Sequence, residues 1–429
     1  FDLLAHIDNF QILDENRLQF SHKSLQHNSP KGQIAPSRAL STSKVAKSGD
    51  DMETSDVIVV GGGLFGPATA YGLRRHGLDT VVLDDGDDVL RAARGNFGLV
   101  WVQSKGMGMH QYHAWSRESA HLYHDFTSEL REFSGTDIAH RNDGGMHLFL
   151  GETEREQRRR EMDIMRQQAG ADGFECEIIE REEAEKMMPG VRLGDDVVGA
   201  SFSKHDGDVN PLKLLRAIHA SFQHLGGRFR SGSRVENIRH DGSVFIAETK
   251  NCAFAAPKIV LACGHGITKL APMVGLDTPI VPQRGQVLVT ERAAPLLNMA
   301  LGSVRQTDEG TVQIGNTEED VEFDDGTTLS AGQAMARRAV QVFPQLAGLR
   351  LIRTWGCIRV LTPDKCAIYD ESEEFPGAYV ATSHSGVTLA AVNARHTAKW
   401  IATGETPPEF EEFSAKRFKT EGGHVSTHH

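Results

Sequence analysis

Three glycines and one aspartate stand at spacings that suit the phosphates and ribose of a nucleotide. Gly61, Gly63 and Gly66 follow directly on the apolar run 57–60, and Asp84 ends the next apolar run. Gly61 permits a tight turn, Gly63 lets the backbone approach a pyrophosphate, and Gly66 lets a helix lie close to the strand. An acid at the second strand end accepts hydrogen bonds from a ribose. The spacing predicts dinucleotide binding, against the alternative of a plain strand–turn–helix unit.

These four residues require a strand, a helix and a second strand to position them. The run 57–60 predicts a buried parallel strand, and 80–83 predicts its neighbour. Between them, the pattern from Leu64 to about His76 predicts a helix. Such a βαβ unit places the phosphates at the helix N-terminus, where free N–H groups favour anions.

The rest of the chain alternates between strand-like and helix-like patterns, which predicts an α/β fold. We expect a Rossmann-like cofactor-binding domain built from discontinuous segments. An α+β substrate domain with a large, mainly antiparallel sheet is inserted between them. The predicted parts are tails at 1–54 and 411–429, cofactor-binding segments at 55–105, 196–275 and 354–410, and substrate segments at 106–195 and 276–353.

Further helices are predicted, among them 110–133, 152–170 and one from Val387 to about Thr403. The charged run 152–166 is interpreted as a solvated helix face. The first helix region carries four histidines that no carboxylate or cysteine completes into a metal-ligand pattern: His110, His113, His121 and His124. We interpret them as a polar helix face and predict no metal site.

Composition excludes several classes of partner. The formal net charge of −12 over 429 residues argues against nucleic acid or an anionic membrane as the main partner. No apolar run approaches the roughly twenty residues that span a bilayer. The five cysteines are scattered, without a Cys-x-x-Cys pair. This pattern is typical of a reducing compartment, and it offers no ligand set for an iron–sulfur cluster.

The first segment differs from the rest of the chain. Residues 21–49 are basic, rich in serine and free of acids, as in an organelle-targeting segment. Acids at Asp2, Asp8 and Asp14 precede this stretch and weaken that interpretation. We therefore expect 1–54 to be a disordered or targeting tail outside the fold, and we expect a cytoplasmic location.

The glycine motif alone does not distinguish FAD from NAD, but several later segments do. They are, in chain order, 95–98, 208–211, 260–264, 282–286, Arg359 with 362–364, and 384–386. Together with the βαβ unit they resemble the FAD-dependent amino-acid oxidoreductase family, which includes D-amino-acid, glycine and sarcosine oxidases. The resemblance covers about 55 to 405. Within the family, 96–103 and 383–390 are most similar to the catalytic β-type subunits of opine oxidase, D-hydroxyproline dehydrogenase and hydrogen cyanide synthase.

This resemblance implies an FAD enzyme that oxidises the carbon–nitrogen bond of a carboxylated amine to an imine. The amine would be of opine, D-hydroxyproline, sarcosine or D-amino-acid type. It also implies a partner subunit with an iron–sulfur cluster, a second flavin or both. Two alternatives stay open, a self-sufficient oxidase that passes electrons to O₂ and a non-catalytic subunit that retains the fold. An NAD-dependent dehydrogenase requires a second nicotinamide site, which no motif marks.

The resemblance also implies roles for individual residues. Arg359 would anchor the substrate carboxylate through its guanidinium fork, against the alternative of a surface ion pair. His384 would contact substrate or flavin, or bond a backbone carbonyl. The turn 385–387 would aim N–H groups at the flavin N1–C2=O. The predicted cofactor contacts are Gly61, Gly63, Leu64, Phe65, Gly66, Asp84, Asp85, Asn96, Phe97, Gly98, Leu99, Gly264, Ser385, Gly386, Val387 and Thr388.

Cys357 matches the position at which monomeric sarcosine oxidases attach their flavin covalently. The residues around Cys357 differ from theirs, and the β-type branch is generally non-covalent. We expect a small buried cysteine and FAD held without a covalent link.

Overall fold

The computed structural model describes residues 52–86, 92–315 and 317–419, and the predicted tails before 52 and after 419 lie outside them. The strands are β1 Met52–Thr54, β2 Val57–Val60, β3 Thr80–Leu83, β4 Leu99–Val100, β5 Gly145–Leu150, β6 Glu177–Glu180, β7 Val197–Ser203, β8 Gly207–Asp208, β9 Arg228–Arg230, β10 Val235–His240, β11 Phe245–Thr249, β12 Ala253–Ala256, β13 Lys258–Leu261, β14 Val281–Arg292, β15 Ala300–Leu301, β16 Val304–Gln306, β17 Thr311–Gly315, β18 Leu351–Leu361, β19 Ile368–Glu371 and β20 Ala378–Thr382. The α-helices are α1 Phe65–Arg75, α2 His110–Ser134, α3 Gly151–Ala169, α4 Arg181–Met187, α5 Pro211–His224, α6 Ile267–Leu270, α7 Leu329–Val342, α8 Ala390–Val392, α9 Ala398–Thr403 and α10 Phe410–Phe413.

A six-stranded sheet in the order β19-β20-β13-β2-β3-β9 forms the centre of the first region. Its strands are parallel except for β19. The continuous apolar runs of β2 and β3 are buried along their whole length, as expected for strands covered on both faces. Val57 and Val59 pack with the helices, whereas Ile58 and Val60 pack with the four-stranded sheet β1-β12-β11-β10. The predicted βαβ unit is therefore the core of this region.

Two four-stranded sheets form the second region, where one large antiparallel sheet was predicted. Their orders are β16-β17-β14-β18 and β15-β5-β7-β6, and only the β15–β5 pair is parallel. Helices α4 and α7 pack with both sheets around a separate apolar core. The long pair β14–β18 places Gln283 opposite Arg359 and Gly285 opposite Cys357. This register brings the candidate substrate arginine to the edge that faces the first region.

The structure differs from the predicted domain division at several elements. Helix α2, predicted in the substrate domain, packs through residues such as Tyr123 and Phe126 into the core of the first region. Strand β7, predicted in the cofactor domain, pairs with β5 and β6. Strand β1, predicted in the tail, pairs with β12, and Phe413 beyond the other boundary is fully buried. An amphipathic pattern shows that a helix has an apolar face, but not which core that face joins.

Helix positions follow the prediction more closely. Helix α1 lies within the predicted span, and α2 matches its prediction to within one residue at each end. The last helix begins at Ala390 rather than Val387 and contains a π turn at Asn393–Thr397 before α9. Among the described helices, none is both long enough and apolar enough to cross a membrane.

Candidate active site

A cavity of about 1520 Å³ lies at the carboxyl ends of β2, β3 and β13. Open parallel sheets bind ligands at this edge. The cavity extends to β14 and β18 of the second region, so its wall comes from both cores. The predicted residues that line it are Gly61, Gly63, Leu64, Phe65, Asp84, Asp85, Asn96, Phe97, Leu99, Gly264, Arg359, His384, Ser385, Gly386, Val387 and Thr388. Gly66 and Gly98 are predicted contacts that lie outside this lining.

The three motif glycines have different surroundings. Gly61 has a φ of +114°, and a Cβ there would stand 2.5 Å from the carbonyl oxygen of Ala262. A Cβ on Gly66 would stand 2.0 Å from the carbonyl oxygen of Gly61, so α1 packs directly on the turn. At Gly63 the nearest atom to a Cβ is the Cβ of Ala93, at 3.8 Å. The open space beside Gly63 faces the cavity and fits a pyrophosphate.

The first turn of α1 is also suited to binding a pyrophosphate. No side chain caps the helix at Leu64, and no acid lies in the first turn. Its leading N–H groups and the positive end of the helix dipole are therefore suited to an anion. The glycine loop and this helix end would together hold the phosphates of a dinucleotide.

Asp84 has a second role that the sequence did not indicate. Its carboxylate accepts hydrogen bonds from the backbone N–H of Gly62 at 2.7 Å and of Gly86 at 3.0 Å. The acid therefore fixes the glycine loop while it lines the cavity. Asp85 lies beside it and forms an ion pair with Arg234 at 3.2 Å.

The loop 95–98, which contains the predicted flavin contacts Asn96, Phe97 and Gly98, is held in place by a buried arginine. Arg305, 2% exposed, donates to the carbonyl oxygen of Phe97 at 2.8 Å and faces Asp208 at 3.5 Å. Asn96 accepts from the N–H of Gly98 at 2.7 Å. A Cβ on Gly98 would stand 2.5 Å from the carbonyl oxygen of Val209, so this glycine serves the packing of the loop rather than the cavity wall. Sequence reasoning missed Arg305, which no local motif marks.

The turn after β20 is tied to the long helix α2. The hydroxyl of Tyr112 lies 3.0 Å from Ser383 Oγ and 2.8 Å from Ser385 Oγ. The N–H of Leu389 donates to the carbonyl oxygen of Ser385 at 2.9 Å, and Thr388 accepts from the N–H of Trp101 at 3.1 Å. This network holds the turn against the cavity.

Arg359 lies on the opposite wall with its charge mainly uncompensated. Its guanidinium donates to the Gln283 side chain at 2.8 Å and to the carbonyl oxygen of Thr317 at 2.7 Å. The nearest acid is the half-exposed Glu318, at 3.7 Å. The group lies flat against Gly285, where a Cβ would stand 2.8 Å from Nη2. Because its close partners are neutral oxygens, Arg359 retains donors and charge for an anion, unlike an arginine in a surface ion pair.

His384 is paired with a lysine that sequence reasoning missed. Lys105 Nζ lies 2.9 Å from His384 Nε2. Burial, and then the charges of Lys105 and Arg359, hold the pKa of His384 well below its usual value. Burial, and then the charge of Arg359, lower the pKa of Lys105 to about 8. His384 is therefore neutral at pH 7, and its Nδ1 is buried without a hydrogen-bond partner among the described residues.

Cys357 is partly buried and lines the cavity. Of the α2 histidines, His113 is 3% exposed, so its assignment to a polar helix face is wrong, because this side of α2 packs inside the protein. A Cβ on Gly95 would stand 2.5 Å from Cys357 Sγ, and burial raises the pKa of this thiol. His110 Nε2 lies 3.1 Å from Asp172, and His121 Nε2 lies 3.1 Å from His205 Nδ1. In the part of the chain that the structure describes, no three His, Cys, Asp or Glu side chains form a group that could hold a metal ion.

Comparison with known proteins places these features in a family. The family described as FAD dependent oxidoreductase matches residues 56–400. The chain is 39% identical to a subunit of opine oxidase from Rhizobium meliloti, over 85% of this chain and 97% of that protein. It is 24% identical to hydrogen cyanide synthase subunit HcnC of Pseudomonas aeruginosa, over 87% of this chain and 98% of that protein. The structure of glycine oxidase from Geobacillus kaustophilus matches with a TM-score of 0.78 at 24% identity, over 86% of this chain and 100% of that one. The resemblance and the α/β class predicted from sequence are confirmed.

Proposed function

Because the chain belongs to the FAD-dependent oxidoreductase family, we propose that it oxidises the carbon–nitrogen bond of a carboxylated amine to an imine. The observation that carries the proposal is that the space beside Gly63 and the guanidinium of Arg359 belong to one cavity. A dinucleotide held by the glycine loop and a carboxylate held by Arg359 would therefore meet in the same space. Bound FAD would supply the hydride acceptor.

The residues of the chain would then bind and orient the amine. Arg359 would pair with the carboxylate and fix the direction of the carbon–hydrogen bond that breaks. Lys105 and Arg359 would disfavour a third positive charge nearby, so the amine would react in its neutral form. A hydride would leave carbon, the nitrogen lone pair would form the C=N bond, and water would hydrolyse the product to a carbonyl compound and an amine.

We also propose that electrons leave through a partner subunit. The similarity to a protein named as one subunit of opine oxidase supports this, because that name denotes one part of a larger enzyme. The five cysteines are free thiols, scattered without a Cys-x-x-Cys pair, so the proposed iron–sulfur cluster would belong to the partner. Free thiols also support a cytoplasmic location. The fold is also similar to that of glycine oxidase, and this similarity supports the alternative that the protein is an oxidase that uses O₂ directly.

The visible absorption spectrum of the purified chain tests the proposal. We expect a flavin spectrum that bleaches on anaerobic addition of a carboxylated amine from a panel of opines, D-hydroxyproline, sarcosine and glycine. Peroxide release by the isolated chain in air would support the O₂ alternative instead. If the chain binds FAD but no amine of the panel bleaches the flavin, the proposed oxidation is contradicted and a non-catalytic subunit is favoured.

A further inference from the structure

Arg305 on β16 is a buried cation whose charge is only partly compensated. The acid that faces it at 3.5 Å is Asp208, which is 1% exposed. Asp208 already accepts two hydrogen bonds from Arg141, from Nε at 2.9 Å and from Nη2 at 2.5 Å. Asp308 also acts on Arg305, but it is partly exposed and pairs with Lys213. Two guanidinium groups therefore share the buried carboxylate, and since both stay protonated, one positive charge is left over.

The surplus charge lies directly behind the cavity wall. Arg305 Nη1 donates to the carbonyl oxygen of Phe97 at 2.8 Å, and Phe97 lines the cavity. Gly98 permits this approach, because a Cβ there would stand 2.8 Å from Nη1. The same nitrogen donates to the side-chain oxygen of Gln313 at 2.9 Å. Both acceptors are neutral, and Arg305 Nε has no hydrogen-bond partner among the described residues. The guanidinium is therefore held against the loop 95–98 with its charge retained.

A positive charge at this place complements the charge that the proposed oxidation creates. A hydride carries two electrons and one proton, so its transfer from the amine carbon to a neutral flavin ring leaves one negative charge on the ring. A fixed cation in a region of low dielectric stabilises such an anion more than the same cation would in water. Because Arg305 is already desolvated in the folded protein, nothing has to reorganise when the flavin is reduced.

We propose that Arg305 is a positioning residue whose charge, acting across the loop 95–98, stabilises the anionic reduced flavin. The inference rests on the proposed function, because it requires FAD in the cavity beside this loop. The charge would raise the midpoint potential of the flavin and so favour acceptance of the hydride. Support of the loop alone would affect oxidised and reduced FAD alike, and would leave the midpoint potential unchanged.

The two-electron midpoint potential of the FAD-loaded protein tests the inference without any amine. It would be measured at pH 7 by anaerobic reduction in equilibrium with a reference dye. We expect Arg305→Met to shift the equilibrium at least about tenfold toward oxidised flavin, which lowers the midpoint potential by about 30 mV. Arg305→Lys keeps a charge at this place and should lower it less. FAD content and the thermal unfolding midpoint show that each variant is folded. An unchanged potential in folded, FAD-containing Arg305→Met would overturn the inference.

A second variant separates the charge of Arg305 from its support of the loop. Gln313→Glu would place a carboxylate at the atom that accepts from Arg305 Nη1, and it leaves the bond from Arg305 to Phe97 in place. We expect it to lower the midpoint potential in the same direction as Arg305→Met. Gln313→Leu is the matched control, which removes the hydrogen bond without adding charge and should leave the potential unchanged. Equal potentials in the glutamate and leucine variants would overturn the inference, even if Arg305→Met does not fold.

Reduction by the dye and reduction by an amine distinguish this inference from the proposed function. If the potential falls in Arg305→Met and Gln313→Glu but no amine of the panel bleaches the flavin, the role of Arg305 is supported and the oxidation is wrong. If an amine bleaches the flavin and neither variant changes the potential, the oxidation is supported and the role of Arg305 is wrong.

Discussion

The glycine loop differs in construction from the cationic wall of the cavity, which is formed by Lys105 and Arg359 around His384. The glycines lie within six consecutive residues, 61–66, and two of the three are fixed by close contacts with backbone atoms. On the cationic wall, by contrast, Lys105 and His384 are in contact although 279 positions separate them in the chain. One wall is determined by local spacing, and the other exists only after distant segments of the chain have packed together. Substitutions at the first should separate folding from cofactor binding, and substitutions at the second should alter substrate selection.

The largest effect is expected from Gly66→Ala. The new Cβ would stand 2.0 Å from the carbonyl oxygen of Gly61, which is a backbone atom and cannot yield as the end of a flexible side chain would. We expect the free energy of unfolding of the cofactor-free protein to fall by more than about 4 kcal/mol, in the range of exceptional single substitutions. Gly63→Ala is the matched control, with 3.8 Å to its nearest atom, and should change stability little. Equal urea midpoints for the two variants would contradict this difference.

Gly63→Val should abolish FAD binding while the fold persists. Its side chain would fill the open space that faces the cavity, where we place the pyrophosphate. We expect FAD affinity to fall at least about a thousandfold, about 4 kcal/mol. The measurements are the flavin absorbance of the purified variant and titration of the cofactor-free protein with FAD. Normal flavin content would show that the pyrophosphate lies elsewhere.

Arg359→Met should have the opposite effect to Gly63→Val. FAD affinity should be retained, and the affinity for the carboxylated amine should fall. Truncation of one partner of a desolvated ion pair costs about 2–5 kcal/mol, and we expect a loss of about 3 kcal/mol for carboxylated amines. Arg359→Lys is the control that keeps the charge but lacks the planar fork, and it should lose less. The measurement is anaerobic flavin reduction as a function of amine concentration. Unchanged half-saturation in Arg359→Met would remove Arg359 from the substrate site.

The contrast between local spacing and long-range contacts also explains which features the sequence could predict. The βαβ unit follows from continuous apolar runs and glycine spacing, and α1 at Phe65–Arg75 lies within the predicted helix. The charged run 152–166 was interpreted as a solvated face, but Arg158 is 6% exposed and donates to the carbonyl oxygen of Gln103 at 2.8 Å. A charge pattern indicates a helix surface, but burial of one arginine depends on a loop far away in the sequence. Lys105 was missed for the same reason.

The smallest predicted effect is a pH dependence that isolates Lys105. Its pKa is lowered to about 8 by burial first and then by Arg359, so the ammonium is charged below that pH and neutral above it. The titratable and charged groups that face it are His384, Arg359, Cys366, Asp206 and Glu318. The affinity of the FAD-loaded protein for methoxyacetate, a carboxylated ether without an amine, should therefore be highest near pH 7 and fall by about threefold as pH rises above 8. The measurement is a titration followed by flavin difference spectra. Lys105→Arg should make this affinity independent of pH over the interval, because a guanidinium stays charged. Since Arg359 also stays charged, most of the affinity should persist above pH 8. An affinity that declines equally in the arginine variant would assign the titration to another group and leave the cationic wall without a role for Lys105.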